Sequence, residues 1–489
     1  MAVAGIKRIT RRLAASDGES AATGIGRLDG TTPMFYLYLL VLVIEYLGLA
    51  NDIPILRITR FSTITIYLLL ALVLAKVGSE AFSRYRQNRL LGMFVLYTAL
   101  TVPIAVVGSV ALGALRTHID YFALFLLTVY LVDRPSRVRG IAATGAFIVV
   151  FLVTRNYSLL ESSARAFGMR TGYFLNDGND FAWGMVVLMP WCIYLAITRQ
   201  GLFYRALGAV GVLCSLIGII GTQSRGGTLA LAGAGFFYWM FQAKRKMLGV
   251  VVIAAGIAMV PILAPPGYFD RMQSIQNFDE DNSAQARIQA WRAATKMAVD
   301  FPLGVGANNF GSAYGRYYIP RGNDNTLTWG AGRWLSPHSV YFRLLGECGI
   351  LGVVWVFVLL GGSFRDNMTS HRALAASSST DMPSAAWPLM LNMSLIGYAV
   401  AGLFLGGIGY PHLYLISGLI VSATRQSQWA QAAPHTAPAV SAAVRDHANG
   451  RAALIPVGHV PVNMARAVAV GPVMDVAKRA RLMLQHKRG

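Results

Sequence analysis

Apolar segments long enough to cross a lipid bilayer recur along most of the chain, from Met34 to Thr424. A helix needs about 20 predominantly apolar residues to span the hydrocarbon core, and most of these segments approach that length. We therefore expect an all-α integral membrane protein with about twelve transmembrane helices. The predicted spans are 34–50, 62–78, 90–114, 119–132, 140–154, 181–198, 203–221, 227–242, 247–264, 339–361, 386–406 and 410–424.

One long polar stretch, 265–338, interrupts this pattern and ends where the next apolar segment begins. Asp281-Asn-Ser283 is a typical helix start, and Phe301-Pro302 is a typical helix end. Gly304 and Gly306 then permit a close approach of the backbone to a neighbouring segment. We expect the helix to keep one apolar face, formed by Ile288, Trp291, Thr295 and Ala298.

The basic residues gather in alternate loops. Segments expected inside carry clusters such as Lys244-Arg-Lys246, whereas the short outside loops carry scattered arginines such as Arg116. The positive-inside rule then places both termini inside and the long polar stretch outside. Only 13% of the residues are charged, against about 25% in soluble domains. Orientation and contact with anionic lipids account for the net charge of +21, and no nucleic-acid partner is expected.

Five segments follow from the pattern of hydropathy and charge. We expect an inside N-terminal segment at 1–33, helices 1–9 in 34–264, the large outside loop at 265–338, helices 10–12 in 339–424, and an inside, disordered tail at 425–489.

No cofactor or metal is expected. Cys192, Cys214 and Cys348 lie in apolar segments without paired spacing, which favours packing over a disulfide framework or a zinc site. The acidic clusters 176–180 and 279–281 suit a divalent cation in principle, but helix capping is their commoner role. The sequence contains no nucleotide-binding glycine loop.

Three arginines are candidates for binding an anion. Arg225 lies between two apolar segments, where a guanidinium is costly unless it is paired or faces water, so a functional role is the default. Its planar fork also suits phosphate oxygens. Arg287 and Arg292 flank Trp291 on the predicted helix, and for Arg292 a solvated surface position is an equal alternative.

His338 is the candidate base. Imidazole accepts and donates protons near neutral pH, although a lone histidine is more often a helix cap. Its place at the membrane boundary, fixed by Pro337, favours a reactive role. Arg343 and Glu347 follow at a spacing that suits an ion pair within one helix.

The order of several short motifs resembles the bacterial O-antigen ligase and O-antigen polymerase superfamily, and most closely its O-antigen ligase and O-glycosylation ligase members. The resemblance covers roughly 140–425. The motifs are Asn176-Asp-Gly-Asn-Asp-Phe181, Ser224-Arg-Gly-Gly227, Phe269-Asp-Arg271, Ser283 with Arg287 and Trp291, Pro302-Leu-Gly-Val-Gly306, Pro337-His-Ser-Val-Tyr-Phe342, Leu345-Gly-Glu347 and Gly349-Ile-Leu-Gly352.

This resemblance implies a GT-C type glycosyltransferase in the bacterial inner membrane, with a periplasmic catalytic loop and cytoplasmic termini. Such enzymes move a glycan from undecaprenyl diphosphate to an acceptor hydroxyl without metal or ATP. The family's catalytic histidine falls on His338, which precedes a serine where asparagine is commoner. Its diphosphate-binding arginines fall on Arg225 and Arg287. Further candidates are Arg271 and Arg292 for the donor, and Tyr341, Arg343, Glu347, Asn176 and Asp180 for the acceptor or for support.

Three acceptors remain open at this point. Lipid A–core is the first candidate, a growing glycan the second, and a protein hydroxyl the third. A lipid-linked saccharide transporter is the alternative from another class, but it would need a continuous polar path through the helices, and the chain carries few intramembrane charges.

Overall fold

A computed structural model describes residues 30–158, 170–198, 201–242, 246–269, 282–319, 335–377 and 382–432. Arg271, the acidic cluster 279–281 and almost all of the predicted terminal segments lie outside these ranges, so what the sequence predicts for them stays a prediction.

Throughout the described ranges the protein is all-α, without a strand. The longer helices are α1 (Thr32–Leu47), α2 (Phe61–Val77), α3 (Arg86–Thr101), α4 (Gly108–Leu131), α5 (Pro135–Arg155), α6 (Gly178–Ile197), α7 (Leu202–Gly221), α8 (Arg225–Phe237), α9 (Lys246–Leu263), α10 (Asn282–Asp300), α11 (Val340–Ser377), α12 (Met382–Ala401) and α13 (Pro411–Ala432). Short helical turns lie at Leu49–Asp52, Pro54–Ile58, Ser79–Phe82, Val102–Ile104, Tyr173–Leu175, Tyr238–Gln242, Phe310–Ala313 and Tyr314–Tyr318.

These helices coincide with the apolar segments of the sequence. Every predicted span overlaps one of them, and α10 lies within the polar stretch, starting and ending as predicted. Five helices in the described ranges, α4, α5, α6, α7 and most of α11, are long and apolar enough to cross a membrane. A multi-pass membrane protein is therefore indicated, whereas the number of twelve crossings stays a prediction.

Several predicted boundaries are wrong. The chain breaks at 102–107, where Pro103 lacks an amide proton, and not between the predicted spans 90–114 and 119–132. Arg116, expected in a loop, is an exposed residue inside α4. The segment predicted at 339–361 consists of two helical pieces that meet at Gly349, whose backbone is not helical (φ +63°), and the second piece runs to Ser377. The last helix runs to Ala432, so residues 425–432, predicted as part of a disordered tail, are helical.

The core of the bundle surrounds α6, which packs against α5, α7, α8 and α12. Close helix contact depends on small residues here, because lipid supplies no hydrophobic force between helices. A Cβ on Gly208 or Gly211 of α7 would meet atoms of Cys192 on α6 at 2.6 and 2.7 Å. All three cysteines are buried and unbonded, which confirms the packing role expected for them.

The polar stretch has a small apolar core of its own. Ala290, Ala294 and Met297 of α10 are buried against Phe310 and Tyr314. The predicted apolar face is therefore wrong for Thr295, which is exposed and whose hydroxyl donates to the carbonyl of Trp291 at 3.1 Å. Small alanines form the buried face because they let α10 approach its neighbours closely.

Candidate active site

The backbone of His338 is strained. Its φ is +43°, a left-handed conformation that is uncommon for residues other than glycine and costs about 1–3 kcal/mol. The residue is exposed, whereas Pro337 and Ser339 on either side are buried. Such strain persists only where neighbouring contacts determine the conformation, and it concentrates at functional sites.

Trp291 supplies one of these contacts. Its indole Nε1 donates to the carbonyl of Pro337 at 2.8 Å, and its ring stacks on Phe342 with centroids 4.8 Å apart. The residue therefore connects α10 to both sides of the His338 turn. The sequence places Trp291 on the apolar face of the predicted helix but gives no sign that it helps to place the histidine.

Arg225 is the first residue of α8 and is half-buried. Ser224 caps this helix, since its hydroxyl accepts from the amide of Gly227 at 3.2 Å and donates to Oδ1 of Asn179 at 2.9 Å. Gln223 has a left-handed φ of +53° and donates to the carbonyl of Pro266 at 3.2 Å. The start of α8 is thus tied both to α6 and to the beginning of the polar stretch.

The residues of the acidic motif at the start of α6 have separate roles. Asp177 caps the helix by accepting from the amide of Asn179 at 2.7 Å, which confirms capping for this cluster. Asp180 is half-buried and accepts from the hydroxyl of Tyr410 at 2.8 Å. Asn176 is exposed.

Arg343 and Glu347 form the expected ion pair on α11, although Nε and Oε1 are 3.9 Å apart. The guanidinium of Arg343 also donates to the hydroxyl of Ser336 at 3.1 Å, next to the His338 turn. The carboxylate of buried Glu347 accepts from the amides of Asn308 at 2.7 Å and Phe310 at 3.3 Å. Its main partners are therefore in the polar stretch, which the sequence did not reveal.

The glycines of the polar stretch allow the close approach that the sequence predicts. Gly304 has a φ of +84°, and a Cβ there would clash with the carbonyl of Glu347. A Cβ on Gly349, where α11 bends, would clash with the carbonyl of Pro302 in the same way. Glycine is needed at both positions, because a side chain would push the stretch away from the helix that follows His338.

The remaining predicted residues differ in position. Arg287 is half-buried one turn before Trp291, whereas Arg292 is exposed, in agreement with the surface alternative considered for it. Tyr341 donates to the carbonyl of Ala399 at 2.8 Å, which ties the start of α11 to α12, and its ring stacks at 5.3 Å on Phe357, which follows Gly349 in α11. Arg271 lies outside the described residues.

Two tyrosines in the described part of the polar stretch have clearly raised pKa values. Burial raises the pKa of Tyr314. Burial, with the hydrogen bond that the Tyr318 hydroxyl donates to Asp300 at 2.6 Å, raises the pKa of Tyr318 above its usual range. This hydrogen bond ties Tyr318 to the last residue of α10.

The described residues bring most of the predicted site to one end of the bundle. Contacts lead from Arg225 through Ser224 and Asn179 to Asp180, and Arg343 is close enough to Asp180 to interact with it electrostatically. Arg343 in turn reaches the His338 turn. Tyr410 was missed, and its only signal in the sequence is a position just before the proline that opens α13.

These features define a multi-pass, all-α membrane protein with a polar site at one end of its helix bundle. Residues 210–357, from α7 to the middle of α11, match the family described as O-Antigen ligase. The teichuronic acid biosynthesis protein TuaE of Bacillus subtilis (strain 168) is 26% identical over 264 residues, which is 48% of this chain and 53% of that protein. The chain thus matches about half the length of this relative. Together the two matches confirm the resemblance to the O-antigen ligase and polymerase superfamily.

Proposed function

We propose that this protein is a glycosyltransferase that moves an O-antigen-type glycan from undecaprenyl diphosphate to a hydroxyl of lipid A–core. The reaction would take place at the periplasmic face of the bacterial inner membrane, with both termini of the chain in the cytoplasm. The observation that carries this proposal is that the loop 402–410 lies against both the strained, exposed His338 and Gly226, the residue after Arg225 at the start of α8. The superfamily resemblance supplies the donor class.

The chemistry needs a base and a site for the leaving group. The acceptor oxygen attacks the anomeric carbon of the glycan, and the bond from that carbon to the diphosphate oxygen breaks. The acceptor proton passes to a ring nitrogen of His338, a contribution of about 10²–10⁴-fold for a positioned base. Undecaprenyl diphosphate departs with the bonding electrons.

Arginine side chains stabilise the charge that develops on the leaving diphosphate. Arg225 and Arg287 are the first candidates, because both are half-buried beside contacts that lead to His338. The resemblance makes Arg271 a further candidate. Arg292 is exposed, so it would contact the solvent-facing part of the lipid-linked donor. The N-terminal ends of α6 and α8 add partial positive charge on the same side.

Polymerisation of repeat units is the second candidate function. The relative's name refers to the biosynthesis of teichuronic acid, which supports this second candidate. Transfer to a protein hydroxyl shares the same donor and base. The alternative from another class, transport of a lipid-linked saccharide, would form no glycosidic bond.

The test is transfer by the purified protein in proteoliposomes with a synthetic undecaprenyl diphosphate-linked glycan. Lipid A–core, a second donor molecule and an acceptor peptide are offered separately, and products are identified by mass. A new bond to lipid A–core, insensitive to EDTA, is the expected result. If new bonds form only between glycans, the protein is a polymerase and not a ligase. Movement of the donor across the membrane without any new bond would overturn the enzyme proposal.

A further inference from the structure

The His338 turn rests on a loop that joins α12 to α13. This glycine loop, 402–410, includes glycines at 402, 406, 407 and 409. The carbonyl of Gly402 accepts from the amide of Val340 at 2.8 Å and from the hydroxyl of Ser339 at 3.3 Å. A Cβ on Gly406 would lie 3.3 Å from the Cα of His338 and 3.5 Å from its nitrogen. The loop therefore lies directly against the backbone of the strained residue.

Tyr410 ends the glycine loop and attaches it to α6. Its ring lies so close to Gly407 that a Cβ there would clash with the ring carbons. Its hydroxyl donates to Oδ2 of Asp180 at 2.8 Å, across 230 residues of sequence. The carboxylate lies in the first turn of α6, where the helix dipole favours negative charge.

Arg343 connects this attachment to the opposite side of the His338 turn. It interacts electrostatically with both Asp180 and Tyr410, and it donates to the hydroxyl of Ser336. The turn is thus held by the glycine loop, by the hydrogen bond from Arg343 to Ser336 and by the hydrogen bond from Trp291 to Pro337. The glycine loop lies against the backbone of His338 itself.

We propose that Asp180 and Tyr410 form a latch that positions His338 for proton removal by holding the glycine loop under it. The proposal rests on the proposed function, since it assigns the latch to the same transfer reaction. Tyr410 is a positioning residue, because it acts through the loop and not on the substrate. Breaking the latch lets the loop move, which misplaces the imidazole relative to the acceptor hydroxyl. Phe404 and Leu405 of the loop also lie beside Gly226, but Arg225 itself is placed by the Ser224 cap of α8.

Tyr410→Phe is the direct test, because it removes only the hydroxyl and keeps the ring against Gly407. We expect kcat to fall about tenfold and the donor KM to stay within about twofold, as for a misplaced catalytic group. Tyr398→Phe is the matched control. The Tyr398 ring also neighbours Trp183, at 4.9 Å against 5.9 Å for Tyr410, but its buried hydroxyl has no hydrogen-bond partner among the described residues.

Variants of Asp180 separate the hydrogen bond from the charge. Asp180→Asn keeps an oxygen that accepts from Tyr410, so it should retain most of kcat, whereas Asp180→Ala should match Tyr410→Phe. The double variant Asp180→Ala/Tyr410→Phe should lose no more than either single variant, because the two residues form one contact. Thermal unfolding in detergent checks that each variant is folded.

Several results would overturn the latch. These are equal kcat for Tyr410→Phe and Tyr398→Phe, a raised donor KM in place of a lowered kcat, or a loss in Asp180→Asn as large as in Asp180→Ala. His338→Ala is measured in parallel with the same donor and acceptor. If His338→Ala is inactive while Tyr410→Phe keeps the kcat of the wild type, the latch alone fails; if His338→Ala is fully active, the proposed function fails as well.

Discussion

The starts of α8 and α11 are built in similar ways, yet they place their key side chains differently. Each has a left-handed residue other than glycine nearby, Gln223 before α8 and His338 before α11. Each is also tied to another part of the chain by a side chain that donates to a proline carbonyl. In α11 the strained residue is the candidate base itself, and it is exposed.

In α8 the strain falls on a buried neighbour. Gln223 is 6% exposed, and Arg225, two residues later, begins a regular helix capped by Ser224. The arginine is therefore placed by an ordinary helix cap, and its long side chain can adapt to a diphosphate. The histidine is placed by a backbone that several contacts hold in one unusual conformation. This difference indicates that changes around His338 should affect the rate of transfer, and changes at Arg225 the binding of the donor.

The largest effect is expected for His338. His338→Ala should lower kcat by about 10²-fold or more, because the base is lost, and should leave the donor KM nearly unchanged. His338→Gln should be nearly as inactive, since an amide cannot take up the proton. Steady-state transfer by purified variants of equal stability measures this. A rate close to that of the wild type would mean that His338 is only a helix-start residue.

A smaller effect, on binding, is expected for Arg225. Arg225→Ala should raise the donor KM by about 10-fold or more, as hydrogen bonds to a charged group are worth about 1.5–3 kcal/mol. Arg225→Lys should also be impaired, because an ammonium lacks the fork that holds two phosphate oxygens. Retention of the lipid diphosphate on immobilised protein checks both variants. Normal retention by both would remove Arg225 from the donor site.

Loss of the hydrogen bond from α10 to the His338 turn should have the smallest of the three effects on transfer. Trp291→Phe keeps an aromatic ring on Phe342 but removes the hydrogen bond to Pro337, which is worth about 1 kcal/mol, so kcat should fall by about fivefold. The matched control is Trp355→Phe. Trp355 also stacks on a phenylalanine, Phe94 at 4.0 Å, and donates to a backbone carbonyl at 2.8 Å.

Trp355 lies in the α3–α11 contact and its indole donates to Leu90 of α3, not to the His338 turn, so its replacement should change stability but not kcat. Equal losses of kcat in the two tryptophan variants would show that the effect reports general packing and not the position of the histidine.

The sequence predicts the helices well because the length of an apolar segment can be read from consecutive residues. It predicts contacts poorly because they join residues that are far apart in the chain. Arg116 was misplaced because a charged residue interrupts the apolar pattern even when it is an exposed residue of a continuous helix. Thr295 was assigned to the buried face because helical spacing from Trp291 places it there, but the alanines one position away pack more closely. The residue types of the site, arginines and a histidine at apolar boundaries, were visible from their cost in a membrane.

The residues that position the site were not visible. The partners of Glu347 are backbone amides of Asn308 and Phe310, which leave no mark in composition. Tyr410 contacts Asp180 from a position 230 residues away in the sequence, and a lone tyrosine before a proline carries no signal for such a contact. Contacts of this kind are fixed by the packing of the helices and appear only when the fold is known.

The division of labour between His338 and Arg225 is tested most directly by measuring donor retention and single-turnover transfer in the same preparations of His338→Gln and Arg225→Lys. The two variants should show opposite patterns. His338→Gln should retain the lipid diphosphate like the wild type and transfer about 10²-fold more slowly even at saturating donor. Arg225→Lys should retain the donor poorly and recover much of its rate as the donor concentration rises. Loss of retention and rate in equal measure in both variants would contradict the account, because the two residues would then serve one function.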